Sequence, residues 1–189
     1  MKLIKEIKNG SGILLGRLRE QGFRTTMIWF YAQGVSLITG VPIVKYCQIT
    51  PQIFVGPQYR RLGKFKLAQL GINSDVNMRI EFDDAAHGLA MERYCHLPTV
   101  DGEMPTLEQL NQGIAFIKQA LENGGKVYIH CAQGVGRAPT LAAAYFIYQG
   151  IKPEEAVSII KNSRPFIRIS PAQFDQLKRL SAVYSKNGR

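Results

Sequence analysis

Lys126-Val127-Tyr128-Ile129-His130-Cys131-Ala132-Gln133-Gly134-Val135-Gly136-Arg137-Ala138-Pro139 is the stretch whose reading decides the fold. Gly124-Gly125 makes a turn, and the β-branched and aromatic run after it predicts a buried strand ending at His130 and Cys131. Beyond Arg137, Pro139 reads as a first helical position, and the Ala- and Leu-rich run to Tyr148 continues the helix until Gly150 supplies a left-handed residue. The unit is strand, loop, helix. Its loop amides and the positive end of its helix converge on one spot, which is an anion site.

The residue types fit nucleophilic chemistry on such an anion. A thiol of ordinary pKa, about 8.5, is brought to roughly 3.5–7.5 by amides, a helix N-terminus and a nearby cation. Cys131 is then expected as a thiolate able to attack phosphorus. Arg137 offers a planar fork of donors to two phosphate oxygens. Gly134 and Gly136 are read as positions that permit positive φ and keep side chains out of the oxyanion space. The competing reading is a buried Cys closing a core strand before a Gly-rich turn. The conjunction of His130, both glycines, the strand and the helix weighs against it.

These residues resemble the signature loop of the cysteine-dependent protein tyrosine and dual-specificity phosphatases, His-Cys-x-x-Gly-x-x-Arg. The resemblance implies that Cys131 is the nucleophile, through a phosphocysteine, with no metal and no cofactor. It makes Arg137 the phosphate clamp and His130 the residue that orients the loop and favours thiolate. Ala132, Gln133, Gly134, Val135, Gly136 and Ala138 complete the phosphate-binding loop, mainly through backbone N–H groups. The family also carries an Asp as general acid on an upstream loop. Leu97 to Thr106 lies in the right place, with Asp101 as the acid and Glu103 as the rival carboxylate. Taken alone, Asp101 could equally make an Asx turn in a Pro/Gly loop. Thr106 with Glu108 and Gln109 reads as a helix start. Two departures stand out. Ala138 replaces the Ser or Thr that many relatives use to stabilise the departing thiolate, so hydrolysis of the intermediate is expected to slow; Thr140 is near, facing an unassigned direction. The loop positions Ala132, Gln133 and Val135 are neutral, which makes a heavily charged headgroup a less natural substrate.

The likeness runs from about Cys47 to Tyr184. Ile49 to Gly56 is similar to the family's opening strand, Leu70 to Met78 to its helix end and second strand, and Arg164-Pro165 with Ser170 to Leu177 to its closing loop and last helix. Pro105 to Leu110 and Ala143 to Ala156 are similar to the mitochondrial phosphatidylglycerophosphate phosphatase subgroup. Asn77-Met78-Arg79-Ile80-Glu81-Phe82 resembles that subgroup's acidic substrate-side loop.

Composition agrees. The 189 residues, 46% hydrophobic, suit one core plus an extension. Three scattered cysteines exclude a disulfide framework and imply a reducing, cytoplasmic setting. Cys47 and Cys95 read as small buried hydrophobes, the alternative being that one traps oxidised Cys131 as a disulfide. His87 and His96 read as surface or strand residues, and no spacing suggests a metal site. A net charge of +10 favours anionic partners: a phosphorylated protein, a phospholipid or an acidic membrane. Tyr59 to Lys66 interleaves aromatic and basic residues, but no nucleic-acid fold signature accompanies it, so nucleic acid is not expected.

Residues 1–46 form a separate extension, basic and then apolar. Met1 to Arg24 has a helical pattern with Leu3, Ile4, Ile7, Leu14, Leu15 and Leu18. Thr25 to Val44 carries no charge. Its Gln, Ser, Gly and Pro residues make it a poor spanning helix, and no secretory signal is expected. A helix docked on the catalytic domain, a basic interfacial contact with acidic membrane through residues 1–44, and a true span are the three readings, in that order.

The layout predicts an α/β fold: a central, mainly parallel sheet flanked by helices, dual-specificity phosphatase-like, with an N-terminal helical extension and a catalytic domain over 47–189. Strands are expected near Ile53–Val55, Asp75–Met78, Tyr94–Leu97 and Lys126–His130. Helices are expected near Gln58–Leu70, Thr106–Asn123, Pro139–Gln149, Pro153–Asn162 and Pro171–Ser185. The expected activity is hydrolysis of phosphate monoesters on phosphotyrosine, phosphoserine or phosphothreonine proteins. The alternatives are a phospholipid headgroup phosphatase, a catalytically weak phosphate-binding module, and sulfur transfer, against which His130 and Asp101 argue.

Overall fold

The computed structural model describes residues 2–122 and 124–186. Four strands, β1 (Ile53–Gly56), β2 (Ile72–Arg79), β3 (Arg93–Thr99) and β4 (Lys126–His130), form one sheet in the order β1-β4-β2-β3, and every pairing is parallel. Six helices accompany them: α1 (Lys2–Thr39), α2 (Arg61–Gln69), α3 (Leu107–Glu122), α4 (Arg137–Tyr148), α5 (Pro153–Ser163) and α6 (Pro171–Lys186). The expected α/β architecture with a helical extension is therefore present.

Alternation along the strands builds two cores. Ile53, Val55, Val76, Val127 and Ile129 face α3 to α6, with Cys95 among them. Phe54 and Tyr128 face the other way, onto Tyr59, Leu67, Leu89, Met91 and Cys47. Because both faces are covered, the central strands lack polar alternation, as the sequence run of β4 indicates. The α4 helix is buried from Arg137 to Ile147, which explains why it is apolar all round. Cys47 and Cys95 are buried, and all three cysteines are free thiols.

The element ends refine several expectations. The α4 helix starts at Arg137, with Gly136 as N-cap. Pro139 is thus its third residue, not its first, which is tolerated because the first turn's N–H groups have no intrahelical partner. The α2 helix starts three residues late because Arg60 is extended and the Gln58 amide is spent on the Ala132 carbonyl at 3.1 Å. The β2 and β3 strands are longer than expected; β3 is an edge strand and absorbs Pro98. Thr106 and Gln109 cap α3 reciprocally, the Gln109 amide donating to Thr106 Oγ1 at 3.1 Å and the Thr106 amide to Gln109 Oε1 at 2.9 Å. Asn123, the expected last residue of that helix, lies outside the described residues.

The α1 helix breaks at Gly22, whose φ of 76° and ψ of 170° are not helical. Its first part is pinned by Arg17 and Gln21, which donate to the carbonyls of Phe166 and Ile167 at 3.2 and 3.0 Å, and by a Glu20–Arg168 ion pair at 2.6 Å. The side chains of Leu3, Ile4 and Ile7 lie outside the described residues. No helix among the described residues is long and apolar enough to cross a membrane, so the spanning reading of Thr25–Val44 is overturned. The docked reading matches the contacts.

Candidate active site

The Cys131 loop leaves the carboxyl end of β4, a central strand, between the ends of β1 and β2. Ligand sites of parallel sheets form at such places. The loop's carbonyls all point away from its centre. Ala132 accepts from the Gln58 amide at 3.1 Å, Val135 from the Arg168 amide at 2.6 Å, and Gly136 from the Thr140 amide at 3.0 Å. The Gln133 carbonyl accepts from Arg164 and from Gln33, both at 2.8 Å, and the Gly134 carbonyl from Arg164 Nε at 2.6 Å. With the acceptors turned outward, the amides face inward, and the Gly134 amide donates to Cys131 Sγ at 3.3 Å. Cys131 itself is 3% exposed, at the floor of this cup.

Only one of the two loop glycines needs its conformation. Gly134 has φ +64°, and a Cβ there would lie 2.3 Å from the Gly56 backbone. Gly136 has φ −122°, and a Cβ would meet the Gln173 side chain and the Arg168 carbonyl at ordinary contact distances. The expectation of positive φ at Gly136 is therefore corrected: it serves as a helix N-cap. Thr140 is fully buried and its hydroxyl donates to the Gly136 carbonyl at 2.9 Å, so it is committed to the backbone. Ala138 is buried beside it.

Arg137 is 1% exposed and held from three sides. Its Nη1 donates to the Thr99 carbonyl at 2.8 Å and to Glu81 at 2.9 Å; its Nη2 donates to Glu81 at 3.0 Å and pairs with Asp101 at 3.0 Å. Its buried Nε has no hydrogen-bond partner among the described residues. Burial opposes the guanidinium's charge, but Glu81, Cys131 and Asp101 outweigh it and raise its pKa. In return Arg137, helped by Arg79, holds the Glu81 carboxyl low, at about 2. Of the two acidic candidates, Asp101 is the one whose carboxylate reaches Arg137. Glu103 contributes its carbonyl, which accepts from Gln173 at 2.9 Å.

His130 is fully buried between two carboxylates, with Nε2 2.8 Å from Asp84 Oδ2 and 3.8 Å from Asp75 Oδ2. Burial disfavours its cation, yet hydrogen bonds and charge from Asp75 and Asp84 win and raise its pKa to about 9. The ligating atoms of these three residues lie within 4.8 Å of one another. The site reads as a hydrogen-bonded ion cluster, because the carboxylate oxygens are already engaged by Tyr59, Met91, Gln58 and the imidazolium. His87 is exposed, and His96 Nε2 donates to the Arg79 carbonyl at 2.7 Å.

Sequence reasoning did not single out Glu81, Arg164 or Gln58. Glu81 was legible only as part of an acidic loop, and Arg164 only as part of a closing loop. Gln58 joins the Ala132 carbonyl to Asp84 and Arg79, a role visible only in three dimensions.

The chain is similar to several known phosphatases. The human phosphatidylglycerophosphatase and protein-tyrosine phosphatase 1 is 40% identical over 98 residues, which is 49% of each chain. The Xenopus laevis dual specificity protein phosphatase 1-A is 28% identical over 122 residues, 64% of this chain and 32% of that one. The chain thus spans about half or less of the length of these curated relatives. A crystal structure of PTPMT1 in complex with PI(5)P superposes with a TM-score of 0.69 at 26% identity, covering 75% of this chain and 97% of that one. Residues 53–182 match the dual specificity phosphatase catalytic domain, and the chain belongs to that family.

Proposed function

We propose that residues 47–189 are a phosphomonoesterase that works through a phosphocysteine. One observation carries the reading: the loop over Cys131 spends every carbonyl from Ala132 to Gly136 on the scaffold, which leaves inward amides and the unpartnered Nε of Arg137 for a phosphate dianion. In the first step Cys131 Sγ attacks phosphorus, the bond to the leaving oxygen breaks, and Asp101 donates its proton to that oxygen. Phosphate competes for Arg137, so Asp101 is freed from its ion pair as substrate enters and takes up from solvent the proton it then donates, while Cys131 attacks as the thiolate. In the second step water attacks phosphorus, Asp101 takes up a proton, the S–P bond breaks and phosphate leaves. Ala138 and the committed Thr140 hydroxyl offer the departing sulfur no side-chain donor; the Gly134 amide is the donor in reach. The thiol this needs fits a reducing compartment facing the cytoplasm.

Purified protein and its Cys131→Ser variant, assayed on a small aryl phosphate, test this. Turnover is expected for the first, with phosphate trapped on its Cys131 after acid quench and mass spectrometry, and abolished in the second. Full activity in the variant overturns the reading.

A second reading of the substrate, a phospholipid headgroup phosphate in place of a phosphoprotein, is favoured by an apolar cleft of about 710 Å³ whose wall includes Ala132 and Gln133. The human relative's name and the PTPMT1 complex point the same way. Faster turnover of phosphatidylglycerophosphate than of phosphopeptides would select it; the reverse ratio would reject it.

A further inference from the structure

The second half of α1, after the break at Gly22, lies against the domain with its small and polar residues. Thr26, Ala32 and Ser36 are buried, and Gln33 touches the phosphate loop itself. The other face is apolar and open: Phe23, Met27, Phe30, Tyr31, Leu37 and Ile38 are 37 to 81% exposed. Spacings of three, four and seven residues place them on one stripe of the helix. A helix that turns its aromatic face to solvent and its polar face to the protein is inverted, and an exposed apolar patch of this kind marks a partner.

The surrounding charge identifies the partner's chemistry. Residues 25–44 carry no charge, and exposed Arg19 and Arg24 precede them. Where α1 ends, the Arg60 amide donates to the Gly40 carbonyl at 2.9 Å, so α2 begins against it. There α2 exposes Leu62 and Phe65 beside Arg60, Arg61 and Lys66. Aromatic and aliphatic side chains bordered by Arg and Lys, on a chain of net charge +10, suit an anionic lipid interface entered in-plane.

The stripe also borders the cleft. Trp29, Phe30 and Leu37 form one wall, Tyr59, Phe82 and Leu89 the other, and the phosphate loop closes one end. Gln33, Ser36, Arg60 and Arg79 also line the cleft, but its surface is mostly apolar, which suits an alkyl chain with no polar group to satisfy.

We propose that residues 23–39 form an interfacial element whose exposed stripe seats in an anionic lipid surface, while the cleft beside it takes an alkyl chain of a phosphomonoester lipid and leads its headgroup to Cys131. This deepens the lipid reading of the same site and rests on it. Trp29, the only tryptophan of the chain, stands in the cleft wall and is the natural probe. The full chain carrying Cys131→Ser is mixed with vesicles of phosphatidylcholine, with or without phosphatidylglycerol, whose acyl chains are brominated. Trp29 emission is expected to be quenched by the anionic vesicles and little by the zwitterionic ones. The combined substitution Phe23→Ser, Tyr31→Ser, Ile38→Ser is expected to weaken vesicle partitioning roughly 10–100-fold, with helix content by circular dichroism unchanged. Absence of quenching, or equal partitioning of the substituted chain, overturns the proposal. So does a dimer in light scattering that the substitutions convert to monomer without lipid, since the stripe then joins two copies. Turnover of a soluble aryl phosphate by the chain with Cys131 intact separates the two claims. If it persists while quenching fails, the lipid surface falls and the enzyme stands; quenching without turnover leaves the surface and removes the enzyme.

Discussion

The Cys131 loop and the Asp101 loop each supply one reacting group, and they are built in opposite ways. From Cys131 to Arg137 the nucleophile and clamp are buried, the carbonyls of Ala132 to Val135 are tied to other segments, and Gly134 fits against Gly56 with no room for a Cβ. Around Asp101 the chain makes one exposed turn, closed by the Glu103 amide on the Val100 carbonyl at 3.2 Å, with Gly102 at φ +82° facing open space. The Asp101 side chain is 81% exposed and its anchor is the very guanidinium that phosphate must claim. The difference follows from the tasks. Stabilising developing charge on phosphorus needs donors fixed beforehand, whereas a proton donor must reach leaving groups of different size.

If this division of labour holds, damage to the two loops has different signatures. Asp101→Asn is expected to slow turnover of an alkyl phosphate by roughly 10²–10⁴, and much less for an aryl phosphate with a good leaving group, with the alkaline limb of the pH–rate profile lost. Glu103→Gln serves as the control; if it has the larger effect, the acid is Glu103. Arg137→Lys is expected to cost roughly 10²–10³ in kcat/KM for every leaving group alike, because a point charge cannot replace the planar fork held by Glu81 and Thr99. Leaving-group dependence in the Arg137 variant, or none in the Asp101 variant, would erase the contrast between the loops.

How much of this the sequence discloses depends on the range of the interactions. The strands, the strand–loop–helix unit and the reciprocal N-terminal cap of α3 are local patterns, and they are legible because side-chain period and capping chemistry act over a few residues. Cys131, Arg137 and Asp101 are legible because two loops carry them at recognisable spacings. Arg164 is not, since its partners at Tyr46, Gln133 and Gly134 come together only after the last loop closes over the first strand. Gly136 misleads for a related reason: a glycine in a tight loop suggests positive φ, yet here it caps a helix. The docking of α1 is the reading its sequence favours, but that its aromatic stripe points outward is visible only once the helix is seated on the domain.

The smallest expected effect concerns what holds the rigid loop in place. His130 sits at the base of that loop with a pKa near 9, above its unfolded value of about 6.5. Between those values the folded chain holds a proton that the unfolded chain has lost, so stability falls as pH rises. The contribution is complete below about pH 6.5 and gone above about pH 9, and for a shift of this size it is on the order of a few kcal/mol. Urea unfolding of wild type and His130→Gln at pH 6, 7.5 and 9 isolates it, since other titrating groups cancel in the difference. The gap between the two proteins is expected to be widest at the lowest pH and to shrink toward the highest. A gap that is constant with pH would mean that Asp75 and Asp84 hold a neutral imidazole, and the loop's anchor would then be hydrogen bonding without charge.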